Sequence, residues 1–291
     1  MKVVEITYRY DGSDATVRPR PADAQAATDR LNEGSRTIAR LVDSLADGDG
    51  TARRVIPIDP RDLGLAPGDT GTPAQRPYAA VLGCSDARVP VELIFNEGPN
   101  DLFVVRVAGN GLGNEVIGSL NYAIEHLGGS LKLVVVLGHS GCGAVTAAVD
   151  VFLDPKGYLP IASRHPLRGI VDRLLVSVHT SARRLAEVCG PEVTRLPGYR
   201  TALIETAIVT NAALGAHTLQ SEIGDGTGLR TAYGVYCIET REVWAPRFGS
   251  AECAGLADPP RNAEEFSGLG DAIARSQRIA SLLRPGAGSS R

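Results

Sequence analysis

The stretch Leu131–Gly143, LKLVVVLGHSGCG, decides the fold, because an apolar strand-like run passes directly into a loop of polar residues and glycines. A second segment has the same form: the run Tyr78–Gly83 (YAAVLG) leads into Cys84–Arg88 (CSDAR). Between them lie another strand-like run, Leu102–Ala108, and a helical stretch, Glu115–Leu127. Strands that alternate with helices favour a parallel sheet. We therefore predict an α/β fold with a mostly parallel central β-sheet flanked by helices.

Composition is typical of a globular chain. The chain has 291 residues, 43% of them hydrophobic, enough for one large core or two small ones. The net charge of −3 is too small to indicate nucleic acid or a membrane surface as a partner. The N-terminal residues are too polar for a signal peptide, and no apolar run approaches the roughly 20 residues of a membrane-spanning helix. Five widely spread cysteines do not indicate a disulfide framework, so we expect a reducing cytoplasm.

The predicted organisation is one core with two extensions. The three parts are an N-terminal strand, helical arm and loop (residues 1–74), an α/β core (75–248) and a C-terminal helical tail (249–291). In the first part we predict a strand over Val3–Tyr10, a turn at residues 11–14, a helix over Asp23–Leu45 and a surface loop over Asp47–Arg76. Further predicted elements are helices at Gly143–Phe152, Leu167–Val188, Leu203–Ile223 and Ala263–Leu283, strands at Leu229–Ile238 and Glu242–Trp244, a loop at Leu153–Pro166 and a disordered end at residues 285–291.

Two thiols and one imidazole follow the strand-like runs. The carboxyl ends of parallel strands gather along one edge of a sheet, so Cys84, His139 and Cys142 are expected to meet there. Two sulfurs and one nitrogen suit Zn²⁺, and three protein ligands with a fourth position open are typical of a catalytic zinc. The residues alone leave an alternative, in which both cysteines are small buried hydrophobic residues and His139 caps a helix. A redox dithiol is disfavoured because Cys-x-x-Cys is absent.

Asp86 and Arg88 follow the first predicted ligand by two and four positions. A carboxylate beside a metal can accept the proton of bound hydroxide and orient its lone pair toward a substrate. Arg88 can hold that carboxylate through a bidentate pair. The alternative is an ordinary salt bridge within a loop.

Four ordered motifs resemble those of the β-class carbonic anhydrases: CSDARVPVELIF, DLFVVRVAGN, GSLNYAIEHL and VVVLGHSGCGAV. The clear resemblance runs from Gln75 to Val145, with weaker similarity over Ala232–Trp244. It implies reversible hydration of CO₂ to bicarbonate and a proton through a zinc-bound hydroxide.

The resemblance also implies roles for individual residues. Cys84, His139 and Cys142 would bind one Zn²⁺ per subunit, with Asp86 and Arg88 as a catalytic pair beside the metal.

Four further positions match substrate-binding positions of the family. Gln75 stands nine residues before Cys84, where plant-type members place a glutamine that hydrogen-bonds the substrate. Phe103 and Tyr122 match aromatic residues of the CO₂ pocket, partly across the dimer interface, although either could be a plain core residue. The N–H of Gly143, at a predicted helix start, could face an anionic product.

The resemblance implies a homodimer or a dimer of dimers, since family members form dimers whose N-terminal helices embrace the partner. Ala87 and Val107 depart from the more usual serine and asparagine, but neither is a predicted ligand. In some members the aspartate matching Asp86 swings onto zinc, and it could do so here. Two other functions stay open: hydrolysis of carbon disulfide or carbonyl sulfide on the same scaffold, and a noncatalytic zinc-binding protein.

Overall fold

The structure, a computed structural model, describes residues 3–10, 18–44, 50–66, 68, 70–163, 165–224, 226–246 and 255–284. The N-terminal part is a strand–helix–strand unit of β1 (Val3–Tyr10), α1 (Ala24–Asp43) and β2 (Thr51–Ile58). The two strands pair in parallel along their whole length. The predicted strand and helical arm are therefore confirmed. The prediction of a loop over Asp47–Arg76 is wrong at β2, because this segment finds a partner strand in β1.

A five-stranded sheet forms the centre of the fold. Its strands are β3 (Ala79–Gly83), β4 (Leu102–Arg106), β5 (Leu133–His139), β6 (Arg230–Tyr236) and β7 (Val243–Trp244). The strand order is β4-β3-β5-β6-β7, and all neighbours are parallel except β6 and β7. This confirms the mostly parallel sheet and the two strands predicted at Leu229–Ile238 and Glu242–Trp244. Every residue of β3 and β5 is buried, which explains why these strands are almost continuously apolar.

Helices cover both faces of this sheet. They are α2 (Val91–Ile94), α3 (Asn114–Leu127), α4 (Gly143–Leu153), α5 (Tyr158–Ala162), α6 (His165–Cys189), α7 (Tyr199–Ile223), α8 (Ala263–Arg275) and α9 (Gln277–Leu282). Alternate residues of β5 point to opposite faces. Val134 and Val136 join a core cluster with α3, α4 and α6 to α9, whereas Val135 and Leu137 pack with α1 and α2. No described helix combines the length and apolar character needed to cross a bilayer.

Two predicted boundaries are wrong for local reasons. The loop predicted over Leu153–Pro166 contains a 3₁₀ turn and α5, because the Asp154 side chain caps the turn that begins at Pro155. The single helix predicted over Ala263–Leu283 is α8 and α9, divided at Ser276. The extended backbone of this serine ends α8, and its side chain caps α9. The predicted turn at 11–14 and the disordered end at 285–291 lie outside the described residues.

The first testable prediction concerns Gly34, where α1 crosses the end of α2. A Cβ atom at this position would lie 1.8 Å from the carbonyl oxygen of Phe95. We expect Gly34→Ala to lower the free energy of unfolding by about 1–3 kcal/mol, because backbone must move to make room. At Gly118 in α3 a Cβ meets nothing within 4 Å. Gly118→Ala should therefore raise that free energy by up to about 1 kcal/mol. Urea denaturation followed by circular dichroism measures both, and equal effects would contradict the packing described.

Candidate metal centre

Three candidate ligands converge at the carboxyl ends of β3 and β5. Cys84 follows β3 directly, His139 ends β5, and Cys142 is the N-cap residue of α4. One ligand atom from each residue lies within 4.8 Å of the other two, and the two sulfurs are 3.9 Å apart. All three residues are buried. The sequence placed these residues at one sheet edge, and the structure brings them together there.

The His139 ring has one satisfied nitrogen and one that lacks a partner. Nδ1 lies 3.0 Å from the carbonyl oxygen of Ser140, so it carries the proton and donates. Nε2 is buried without a hydrogen-bond partner. Buried polar atoms are normally paired, and a neutral imidazole fixed through Nδ1–H presents its Nε2 lone pair as a metal ligand. This unpaired nitrogen beside two sulfurs fits Zn²⁺.

The two thiols are electrostatically unequal. Gly109 adopts φ of +69°, a conformation that glycine accepts readily, and its N–H donates to Cys84 Sγ at 3.3 Å. The hydrogen bond from Cys142, with further donors that include this amide, lowers the pKa of Cys84 to about 4. Donation to Cys84, together with burial, raises the pKa of Cys142. The pair therefore shares one proton, and a bound cation would stabilise both as thiolates.

Asp86 and Arg88 form a bidentate pair beside the ligands. Arg88 Nε and Nη2 donate to the two carboxylate oxygens at 3.0 and 2.7 Å. The Arg88 side chain holds the pKa of Asp86 well below its usual range, so this carboxylate is ionised at neutral pH. Its Oδ2 lies 3.9 Å from His139 Nε2. An acceptor of fixed orientation therefore faces the position where the three ligands converge.

The structure separates the predicted substrate-binding residues within one chain: Gly143 adjoins the candidate ligand Cys142, whereas Gln75 and Phe103 lie together elsewhere. Gln75 and Phe103 line a cavity of about 230 Å³ whose described lining does not include the three ligands. Tyr122 lies on α3 with 51% of its surface exposed and its ring 4.7 Å from that of His126. Gly143 is the first residue of α4 and is exposed, directly after the ligand Cys142.

The segment that holds the candidate ligands is similar to known carbonic anhydrases. The carbonic anhydrase family model matches residues 79–194. The carbonic anhydrase of Mycolicibacterium smegmatis is 42% identical over 135 residues, which are 45% of this chain and 60% of the relative. Carbonic anhydrase 2 of Mycobacterium tuberculosis is 43% identical over 107 residues, which are 36% of this chain and 47% of the relative. The matched segment, residues 79–194, contains Cys84, His139 and Cys142.

This finding confirms the resemblance to the β-class carbonic anhydrases at the level of the family. The chain spans about half the length of these curated relatives, between 47% and 60%. The structure of the β-carbonic anhydrase CafA of Aspergillus fumigatus is similar with a TM-score of 0.45 and 23% identity, over 70% of this chain and 85% of that chain.

Sequence reasoning missed Arg106, which lies within the carbonic anhydrase segment. Its side chain extends from the end of β4 to the loop after β3. There Nε donates to the carbonyl oxygen of Cys84 at 2.9 Å, and Nη2 donates to that of Asp86. Arg106 therefore fixes the backbone of the candidate ligand Cys84 and of Asp86. A charged residue at the carboxyl end of an apolar strand was the available signal.

Two further residues support the second ligand loop from outside the matched segment. Glu205 of α7 is buried and accepts a hydrogen bond from the N–H of Gly141 at 2.9 Å. Its other oxygen accepts from Arg278 of α9 at 3.0 Å. Arg278 also lies 2.9 Å from the sulfur of Cys237. The C-terminal tail therefore packs behind the His139–Cys142 loop, which no local sequence pattern indicates.

Proposed function

We propose that this protein is a zinc-dependent carbonic anhydrase that catalyses the reversible hydration of CO₂ to bicarbonate and a proton. The observation that carries the proposal is the convergence of Cys84, His139 and Cys142 around an unpaired imidazole nitrogen, inside a carbonic anhydrase segment. The names of the curated relatives support the same activity.

Cys84, His139 and Cys142 would hold one Zn²⁺ per chain. Within the part of the chain that the structure describes, these three form the cluster of His, Cys, Asp or Glu side chains that could hold an ion. A structural zinc normally has four protein ligands, whereas three leave one position for the reaction. When bound, Zn²⁺ supplies Lewis-acid activation of a water molecule near neutral pH.

Asp86 would orient the reacting groups. An ionised carboxylate accepts hydrogen bonds and cannot donate them, so it attracts an oxygen that carries a proton and repels one that does not. The attacking water and the protonated oxygen of bicarbonate satisfy this requirement. Arg88 occupies both carboxylate oxygens and thereby fixes the direction of the remaining lone pairs.

We assign the CO₂ pocket to residues from two chains. Gln75 and Tyr122 are exposed in the single chain, and Phe103 lines a cavity apart from the ligands. A homodimer, or a dimer of dimers, would bring these side chains to the metal centre of the neighbouring chain. There the aromatic rings would favour neutral CO₂, Gln75 would donate to a CO₂ oxygen, and the Gly143 N–H would face the anionic product.

The chemistry of the ligands favours a reducing compartment. Cys84 and Cys142 must stay as separate thiols to bind zinc, and their sulfurs lie only 3.9 Å apart. Because disulfides persist in oxidising compartments and are rare in the cytosol, we place the protein in the cytoplasm.

Activity of the purified chain tests the proposal. Stopped-flow mixing with CO₂ in a pH-indicator buffer should show hydration well above the uncatalysed rate by chain that carries one zinc. Turnover of carbonyl sulfide and carbon disulfide should be far slower. Zinc-loaded chain that fails to hydrate CO₂ would contradict the proposal, whether it is inert or prefers the sulfur compounds.

The hydrogen bonds that link Gly141, Glu205 and Arg278 should slow the loss of zinc from the His139–Cys142 loop. Arg278→Ala leaves the buried carboxylate of Glu205 without its charge partner, which loosens the hydrogen bond to Gly141. We expect zinc to transfer to a chromophoric chelator about tenfold faster than from the parent chain. Arg275→Ala is the matched control, because this exposed arginine of α8 lies 3.8 Å from Asp271 of the same helix. Equal transfer from both variants would show that α9 does not support the site.

A further inference from the structure

Strand β1 has one open edge among the described residues. It pairs with β2 and with no other described strand. The Val3 N–H donates to the carbonyl oxygen of Gly50 at 3.3 Å, so Val3 and each second residue after it direct their backbone groups to β2. The intervening residues direct theirs to the open edge. They are Val4, Ile6, Tyr8 and Tyr10.

The same intervening residues present apolar side chains that are only partly covered. Val4, Tyr8 and Tyr10 are 39%, 41% and 42% exposed. Natural edge strands are usually protected from pairing by charged residues, above all lysine, by proline or by a bulge. Strand β2 contains Pro57, whereas Val3–Tyr10 contains neither proline nor lysine. The residues whose backbone groups face the open edge are all uncharged, and the charged residues Glu5 and Arg9 alternate with them.

We propose that β1 pairs antiparallel with β1 of a second copy of this chain, about a twofold axis at Thr7. This register places Val4 opposite Tyr10 of the partner subunit and Ile6 opposite Tyr8 of the partner subunit. These are the residues whose backbone groups face the open edge, so they form the hydrogen-bonded pairs of the ladder. Each pair joins a β-branched residue to an aromatic one, a combination that stabilises adjacent strands.

Charge complementarity selects both the register and the identity of the partner. With the axis at Thr7, Glu5 lies opposite the partner's Arg9, and symmetry repeats this pair. A shift of two residues in either direction separates the charges. In one direction Glu5 lies opposite the partner's Thr7, and in the other direction Arg9 lies opposite the partner's Thr7. Glu5 already pairs with Arg53 of β2 in its own chain at 2.9 Å. Its carboxylate therefore lies on the face of the two paired strands that also carries Arg9. A second copy of the chain supplies complementary charge and apolar surface on one strand.

Disulfide trapping on the full-length chain tests this register. In Thr7→Cys, the two introduced thiols face each other at the axis, in a pair that is not hydrogen-bonded and has Cβ atoms about 5 Å apart. Oxidised glutathione should therefore link the chains well above the background of the parent, whose Cys189 is exposed.

The matched controls differ only in position along β1. In Glu5→Cys, equivalent thiols would lie about 14 Å apart, because four residues separate them along the strands. This variant should not link to itself, whereas mixing it with Arg9→Cys should restore linking. Failure of Thr7→Cys to exceed the parent, or equal linking by all three variants alone, would overturn the proposal. Disulfide linking between chains does not depend on catalysis, so its result tests the pairing of β1 separately from the proposed activity.

Discussion

Cys142→Ser is expected to abolish zinc binding and to lower kcat/KM for CO₂ hydration by a factor on the order of 10³ or more. A serine hydroxyl stays protonated at neutral pH and is a poor ligand for Zn²⁺, so only Cys84 and His139 remain. The fold should survive, because residue 142 is the N-cap of α4 and serine is a favourable N-cap. Metal analysis and stopped-flow hydration on the same preparation measure both effects.

Cys189→Ser is the control for this substitution. Cys189 ends α6, is exposed, and is not among the residues that converge at the site. This variant should keep one zinc per chain and the full activity of the parent. Retention of both zinc and activity by Cys142→Ser would refute the assignment of Cys142 as a ligand.

Asp86→Asn is expected to keep zinc while lowering kcat/KM by about 100-fold. The amide has nearly the same shape as the carboxylate, but it lacks the charge that Arg88 pairs with and presents a donor in place of one acceptor. The orientation of the reacting oxygen is therefore lost although the three ligands are intact. Zinc content separates this effect from that of Cys142→Ser.

Asp150→Asn provides a matched comparison. Asp150 also makes a two-point contact with an arginine, Arg200, with a shortest distance of 2.7 Å, but the pair lies on the surface. Exposed pairs of this kind contribute little to stability, so zinc content and activity should both match the parent. If Asp86→Asn behaved in the same way, the pair beside the ligands would be an ordinary loop salt bridge.

Local sequence patterns predict the central sheet well, because the burial of each strand requires apolar residues within that same strand. The buried strands β3 and β5 are almost continuously apolar and pass directly into the segments that hold Cys84 and Cys142, which fixes their position and length. Strand β2 carries a weaker pattern, with two arginines and Pro57 between its apolar residues. It becomes a strand by pairing with β1, whose Val3 is the partner of Thr51 in a remote part of the chain. A pattern within one segment cannot indicate such a partner.

The candidate site likewise contains residues that the local sequence indicates and residues that depend on remote parts of the chain. The three ligands follow directly from two strand ends, and Arg88 lies two residues from the carboxylate that it holds. Glu205 is 64 residues from Gly141, and Arg278 is 73 residues from Glu205. These supports arise from the packing of α7 and α9 against the sheet, so the sequence offers no local signal for them.

X-ray absorption at the zinc K-edge of the purified chain tests the central claim most directly. We expect two sulfur ligands at about 2.3 Å and two nitrogen or oxygen ligands at about 2.0–2.1 Å. In Cys142→Ser, zinc-bound sulfur at this site should disappear with the metal. A spectrum with three or four sulfur ligands, or a native preparation that binds no zinc, would contradict the account.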